Sequence, residues 1–137
     1  MRQATGVGES GQEWLIEGYG CDEAALADLP KLRGLFDDLV GALGLRPVAE
    51  TQWHQFPHTG GITGLCLLAE SHLACHTFPE YQSICLNVFC CHPRPDWDFS
   101  GYLKREFGAA AVSVRRMERP YTNERENRQL SELRRAN

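Results

Sequence analysis

The side chains best equipped for chemistry crowd into one stretch, Gly60 to Cys91, which reads GGITGLCLLAESHLACHTFPEYQSICLNVFCC. It holds a serine between an acid and a histidine (Glu70-Ser71-His72), a second histidine at His76, and a cysteine pair at Cys90-Cys91. Serine and cysteine supply nucleophiles or exchangeable protons, and histidine supplies a base near neutral pH. Each residue alone has a plainer reading. A lone serine is by default a turn residue, and a lone histidine in an apolar run is by default a hydrogen-bonded core group. Zinc is the competing chemistry, since Cys75-His76 and Cys90-Cys91-His92 bring sulfur and imidazole together. The sequence has no Cys-x-x-Cys pair, however, and adjacent ligands fit poorly around one tetrahedral ion, so no metal is expected. Neighbouring residues of a strand point to opposite faces, so only one of Cys90 and Cys91 can face a given site.

Taken in order, these residues resemble the core of the bacterial S-adenosylmethionine decarboxylase family. The family pattern has a glycine, a Ser or Thr and a second glycine, then an apolar strand. Glu-Ser-His follows, then His-Thr-Trp-Pro-Glu, and finally a strand ending in cysteine. Here these are Gly61, Thr63 and Gly64, then Glu70-Ser71-His72, then His76-Thr77-Phe78-Pro79-Glu80, then Cys91. Upstream, Glu17 with Tyr19-Gly20-Cys21-Asp22 is similar to the family's opening strand, and Trp53-His54-Gln55-Phe56 to its second. The resemblance spans residues 11 to 119, all but the two tails.

The resemblance implies a self-cleaving, pyruvoyl-dependent enzyme. Removing CO₂ from an α-amino acid needs an electron sink on the amine, which no unmodified side chain supplies. Ser71 is implied as its source. Its hydroxyl attacks the Glu70 carbonyl, the resulting ester eliminates, and the chain splits between residues 70 and 71. The new terminus becomes a pyruvoyl group, whose ketone forms a Schiff base with the substrate. Thr63 and His76 are implied to assist this processing, with His76 taking the proton during elimination. Cys91 matches the cysteine that returns a proton to the substrate's α-carbon. By family position, Phe56 and Phe78 stack on an adenine, Glu80 accepts hydrogen bonds from ribose hydroxyls, and Glu17 adds negative charge beside a cationic centre. Read alone, Phe56 and Phe78 also suit a core, whereas a carboxylate in an apolar strand, such as Glu17, needs a partner. Geometry sets one condition. A straight strand would hold Ser71 and His76 ~16 Å apart, so the chain must bend for them to meet.

Four positions depart from the family pattern: Phe78 replaces the common Trp, Asn87 a common Asp, Gly18 a bulky residue, and Arg119-Pro120 an Arg-Gly signature. These changes are expected around the substrate pocket or its rim. They leave L-ornithine or L-arginine, the substrates of some relatives, as an alternative, and an unprocessed binding or regulatory homologue as a second. Phe56, Phe78 and Glu80 together favour S-adenosylmethionine, a cationic small molecule whose decarboxylated form supplies aminopropyl groups for spermidine synthesis.

The elements that must position these residues can be read from periodicity. Glu13 to Tyr19 predicts a strand. Leu32, Leu35, Phe36, Leu39, Val40 and Leu43 follow helical spacing between Pro30 and Gly44. Further strands are expected over Pro47–Phe56, Ile62–Ala69, His72–Phe78, Ile84–Cys90 and Ala110–Arg116, with a second helix over Asp96–Phe107. Short links between the middle strands favour antiparallel pairing. The expected fold is α+β: a two-layer α/β sandwich, an antiparallel sheet with two helices on one face. Its other face should need cover, since the strands read apolar on both sides, and the resemblance implies a homodimer of processed protomers with the active site near the interface.

The chain has 137 residues and 42% hydrophobic side chains, which suits one domain. That domain is expected over 11–121, between a flexible tail at 1–10 and a charged tail at 122–137, the latter a solvated helix or frayed end. Lys plus Arg total 14 against 18 Asp plus Glu, a net charge of −4 that argues against nucleic-acid or anionic-membrane binding. Residues 1–12 are polar and glycine-rich, and no stretch approaches the ~20 apolar residues of a membrane span. A cytoplasmic protein with six reduced cysteines is expected.

Overall fold

The computed structural model describes residues 10–69, 71–121 and 124–136, so Glu70 and nearly all of the N-terminal tail lie outside the described residues. Strand β1 (Ser10–Tyr19) leads through a one-turn helix α1 (Glu23–Leu26) to α2 (Leu29–Leu43). Strands β2 (Gln52–Gln55), β3 (Ile62–Leu68) and β4 (Ser71–Phe78) follow, then a 3₁₀ turn (Pro79–Tyr81) and β5 (Ser83–Cys90). Helix α3 (Phe99–Phe107), β6 (Ala111–Pro120) and α4 (Glu124–Ala136) complete the order.

Local chemistry sets the helix ends. Asp28 caps α2 by accepting from the Lys31 amide at 3.3 Å, Pro30 occupies the first turn, and Gly44 ends the helix with φ 63°. Asp98 caps α3 through the Gly101 amide at 2.9 Å, which is why that helix starts at Phe99 and not at Asp96. The short α1 carries no periodic signal and is absent from the sequence expectation.

The strands form one sheet in the order β2-β3-β4-β5-β1-β6, every pair antiparallel. The opening strand is thus central, inserted between β5 and β6. It starts earlier than its apolar pattern because β6 runs on to Pro120 and pairs with Ser10. Between Pro47 and Phe56 only Gln52–Gln55 is strand, with a single bridge from Pro47 to Leu68.

One face of the sheet carries Trp14, Ile16, Ile62, Cys66, Leu73, Cys75, Ile84, Leu86 and Val88 against Leu32, Leu35, Leu39, Phe99, Leu103 and Phe107 of α2 and α3. That is the expected α+β architecture, with two helices on one face. The opposite face is open. Leu65 is 49% exposed there and Leu67 61%. The charged C-terminal stretch is helical as α4, with Arg134 and Arg135 in its last turn. Among the described residues, no helix is long and apolar enough to cross a membrane.

Candidate active site

Alternation along β3 and β4 puts Thr63, Leu65 and Leu67 with His72, Ala74 and His76 on the open face. Thr63 and His76 are direct cross-strand partners, and the Thr63 hydroxyl meets His76 Nδ1 at 3.0 Å. The same row continues to His54 on β2 and, in the other direction, to Cys85 on β5 and Glu17 on β1. Beside the pair opens a cleft of about 470 Å³ lined by Phe56, Phe78, Glu80, Thr63 and His76, with the Pro57–Thr59 turn as its rim. Five of the nine residues expected to do chemistry or bind substrate therefore share one cavity.

Three features hold that cleft in shape. Gln55 Nε2 donates to the carbonyls of Ala27 at 2.9 Å and Gly60 at 3.1 Å, which ties the turn after β2 to α1. Gly60 closes the turn at φ 77°, and a Cβ on Gly61 would meet the Thr77 carbonyl at 2.7 Å. The buried Thr77 hydroxyl donates to the Leu26 carbonyl at 2.7 Å and accepts from the Ile62 amide at 2.8 Å. Gln55, Gly61 and Thr77 belong to the matched motifs, but the sequence assigned them no role. Gly60-Gly61 is the local signal for the tight turn, and nothing local marks the role of Thr77.

Ser71 lies elsewhere. β4 runs unbroken from Ser71 to Phe78, paired on both sides, so the bend needed to bring Ser71 to His76 does not occur within one chain. Five residues apart, the two point to opposite faces. Ser71 is partnered by Leu68 and by Cys90, on the helix side. Burial pushes the Cys90 thiol up, while the nearby Arg94 guanidinium and Ser71 hydroxyl act against that shift. Cys90, not the Cys91 of the family match, is thus the cysteine directly across the sheet from Ser71. Cys91 falls just past β5, half-buried, and its carbonyl accepts from the Tyr121 hydroxyl at 3.1 Å.

Glu17 finds its partner in Arg115, at 2.8 Å, while its second oxygen is buried with no partner among the described residues. Of the four departures from the family pattern, only Phe78 lines the cleft. A Cβ on Gly18 would meet the Ile84 side chain at 2.9 Å and Leu103 at 3.4 Å, so that glycine serves packing against α3. Asn87 bonds His72 and Glu13, and Arg119 bonds Glu13, all away from the cleft. All six cysteines are free thiols.

The order and spacing of these residues is matched from end to end by a known pattern. A sequence model described as S-adenosylmethionine decarboxylase fits residues 12–120. The chain belongs to the S-adenosylmethionine decarboxylase family. It is 34% identical over 111 residues to the S-adenosylmethionine decarboxylase proenzyme of Acidithiobacillus ferrooxidans, across 80% of this chain and 81% of that one. The proenzyme of the same name from Moorella thermoacetica is 34% identical over 110 residues, across 80% of this chain and 86% of its own. The crystal structure of the adenosylmethionine decarboxylase from Aquifex aeolicus shares the fold with a TM-score of 0.68 and 24% identity, covering 86% of this chain and 97% of that one.

Proposed function

We propose that this member of the S-adenosylmethionine decarboxylase family cleaves itself at Ser71 and decarboxylates S-adenosylmethionine for spermidine synthesis. The observation that carries the reading is the cleft. It joins the Thr63–His76 pair to two aromatic rings and a carboxylate, the set that an adenosyl group with a nearby sulfonium calls for. Phe56 and Phe78 clamp the adenine, Glu80 accepts from the ribose, and Glu17 sets negative charge one strand beyond Cys85 from His76.

A pyruvoyl group fits the residues present. Its source, Ser71, stands at the first position of a strand, directly across from Cys90. When formed, the group supplies the electron sink that a departing carboxylate requires. The chain's own residues do the rest. His76, oriented by Thr63, moves a proton during cleavage, residue 70 becomes the end of the shorter fragment, and Cys91 returns a proton to the product. Residues 11–121 form the working unit, and six free thiols suit a reducing cytoplasm.

The separation of Ser71 from His76 favours a pair of copies as the active form. Two chains packed open face to open face would cover Leu65 and Leu67 and place the Thr63–His76 pair of each copy at the interface. The test is CO₂ release from carboxyl-labelled S-adenosylmethionine, run beside L-ornithine and L-arginine. Release from S-adenosylmethionine is expected. Release only from an amino acid would reassign the cleft. By intact mass the wild-type chain should run as two fragments and Ser71→Ala as one 15.4 kDa species.

A further inference from the structure

Four side chains on four strands form a second polar cluster on the open face, away from the cleft. Asn87 Nδ2 (β5) donates to Glu13 Oε2 (β1) at 2.8 Å, and Asn87 Oδ1 lies 2.7 Å from His72 Nε2 (β4). Arg119 (β6) donates to the other Glu13 oxygen. The His72 ring stacks on Phe89 with centroids 5.5 Å apart and planes 19° from parallel. We propose that Asn87 is a positioning residue for self-processing, fixing the tautomer and ring plane of His72, the first residue after the scissile serine, through a relay anchored on Glu13 and Arg119. The proposal rests on the self-cleavage reading of Ser71.

Hydrogen-bond polarity carries the argument. A carboxylate only accepts, so Glu13 decides which way the Asn87 amide points. The amide nitrogen faces Glu13, and its oxygen therefore faces His72. An oxygen there cannot donate, so His72 Nε2 must carry the proton, and in the neutral ring Nδ1 is the bare nitrogen. The Glu13 carboxyl is only 13% exposed. The Asn87 bond, and after it Arg119, holds that carboxyl below the usual glutamate range against the opposing effect of burial, so it stays an acceptor.

The relay bears on processing through its place in the chain. Attack by a serine hydroxyl on the preceding carbonyl needs a near-attack geometry that rotational slack would spoil. A ring clamped at residue 72 removes slack one residue from that hydroxyl. A carboxylate at 87 would face the Glu13 carboxylate at hydrogen-bond distance, and the relay would break by repulsion. In this chain Asn87 and Glu13 are matched to each other.

The test uses two readouts on the full chain. In the Ser71→Ala chain, which stays in one piece, long-range ¹⁵N NMR of labelled histidine should show His72 protonated at Nε2. Adding Asn87→Leu should release it to a mixture of tautomers. In the cleavable chain, Asn87→Asp should slow splitting roughly tenfold or more, and combining it with Glu13→Gln should restore the rate. In that double variant the amide now stands at position 13 and the carboxylate at position 87. The amide can donate to one carboxylate oxygen and leave the other to accept from His72. Asn87→Asp splitting at the wild-type rate, a folded double variant as slow as Asn87→Asp alone, or an unchanged tautomer in Asn87→Leu would each overturn the proposal. A wild-type chain that never splits would instead sink the self-cleavage reading, with the NMR comparison still deciding the relay.

Discussion

Thr63 and His76 face each other across β3 and β4, and each is useful to the other. The hydroxyl at 3.0 Å orients the ring, and the ring keeps the hydroxyl from turning to solvent. Valine at 63 has the shape of threonine without the hydroxyl, so Thr63→Val removes the bond and little else. Cleavage at Ser71 should slow roughly tenfold, while Thr63→Ser stays within a few-fold of wild type, read as fragment yield against time on denaturing gels. A Thr63→Val chain that splits normally would leave the pair without a part in processing. At the same scale Cys90 shows how one residue decides a contact. It sits directly across from Ser71, and no rule applied to the Cys90-Cys91 dipeptide could choose between them without the strand register.

The elements are joined around the cleft by few bonds, and Thr77 makes two of them. Its hydroxyl links α1 to β3 through the Leu26 carbonyl and the Ile62 amide. Thr77→Val would leave both backbone groups buried and unpartnered, at a cost of about 2–4 kcal/mol. Urea unfolding of the uncleaved Ser71→Ala chain measures this, with Thr77→Ser as the control that keeps the bonds. A loss no greater than that of Thr77→Ser would mean that α1 is held by packing alone. The helices and most strand spans follow from periodicity and capping residues, because those signals act over a few residues. The one-turn α1, capped by Asp22, and the 3₁₀ turn at Pro79–Tyr81 are too short to show helical periodicity, and the sequence reading missed them for that reason.

In the whole molecule Ser71 and His76, the two groups proposed to act in cleavage, sit toward different ends and on opposite faces of β4. That geometry predicts complementation between inactive chains. Ser71→Ala retains Thr63 and His76, and His76→Ala retains Ser71. Neither should split alone. Unfolded together and refolded, the mixture should yield cleaved His76→Ala chain and no cleaved Ser71→Ala chain, identified by fragment mass. A mixture that stays intact would place the whole reaction within one chain, in a form of β4 different from this one. Leu67→Arg, which charges a leucine that is 61% exposed on the open face, should weaken the pairing of copies and lower the yield of the mixture.

Residue order alone marked the candidate side chains for chemistry and predicted the two core-packing helices and most of the strands. Each of those is written locally, in a motif, a cap or an alternation. Packing in three dimensions chose what meets what. It brought Phe56, Phe78, Glu80, Thr63 and His76 to one cleft, kept Ser71 apart from His76, and set Cys90 on Ser71. It also left Gly18, Asn87 and Arg119, three of the departures from the family pattern, outside that cleft. Asn87 and Glu13 are 74 residues apart in the chain and Arg119 and Glu13 are 106 apart. Such pairs depend on β1 inserting between β5 and β6 in one register, and register is a property of the assembled sheet, set by turns and packing that no single strand encodes.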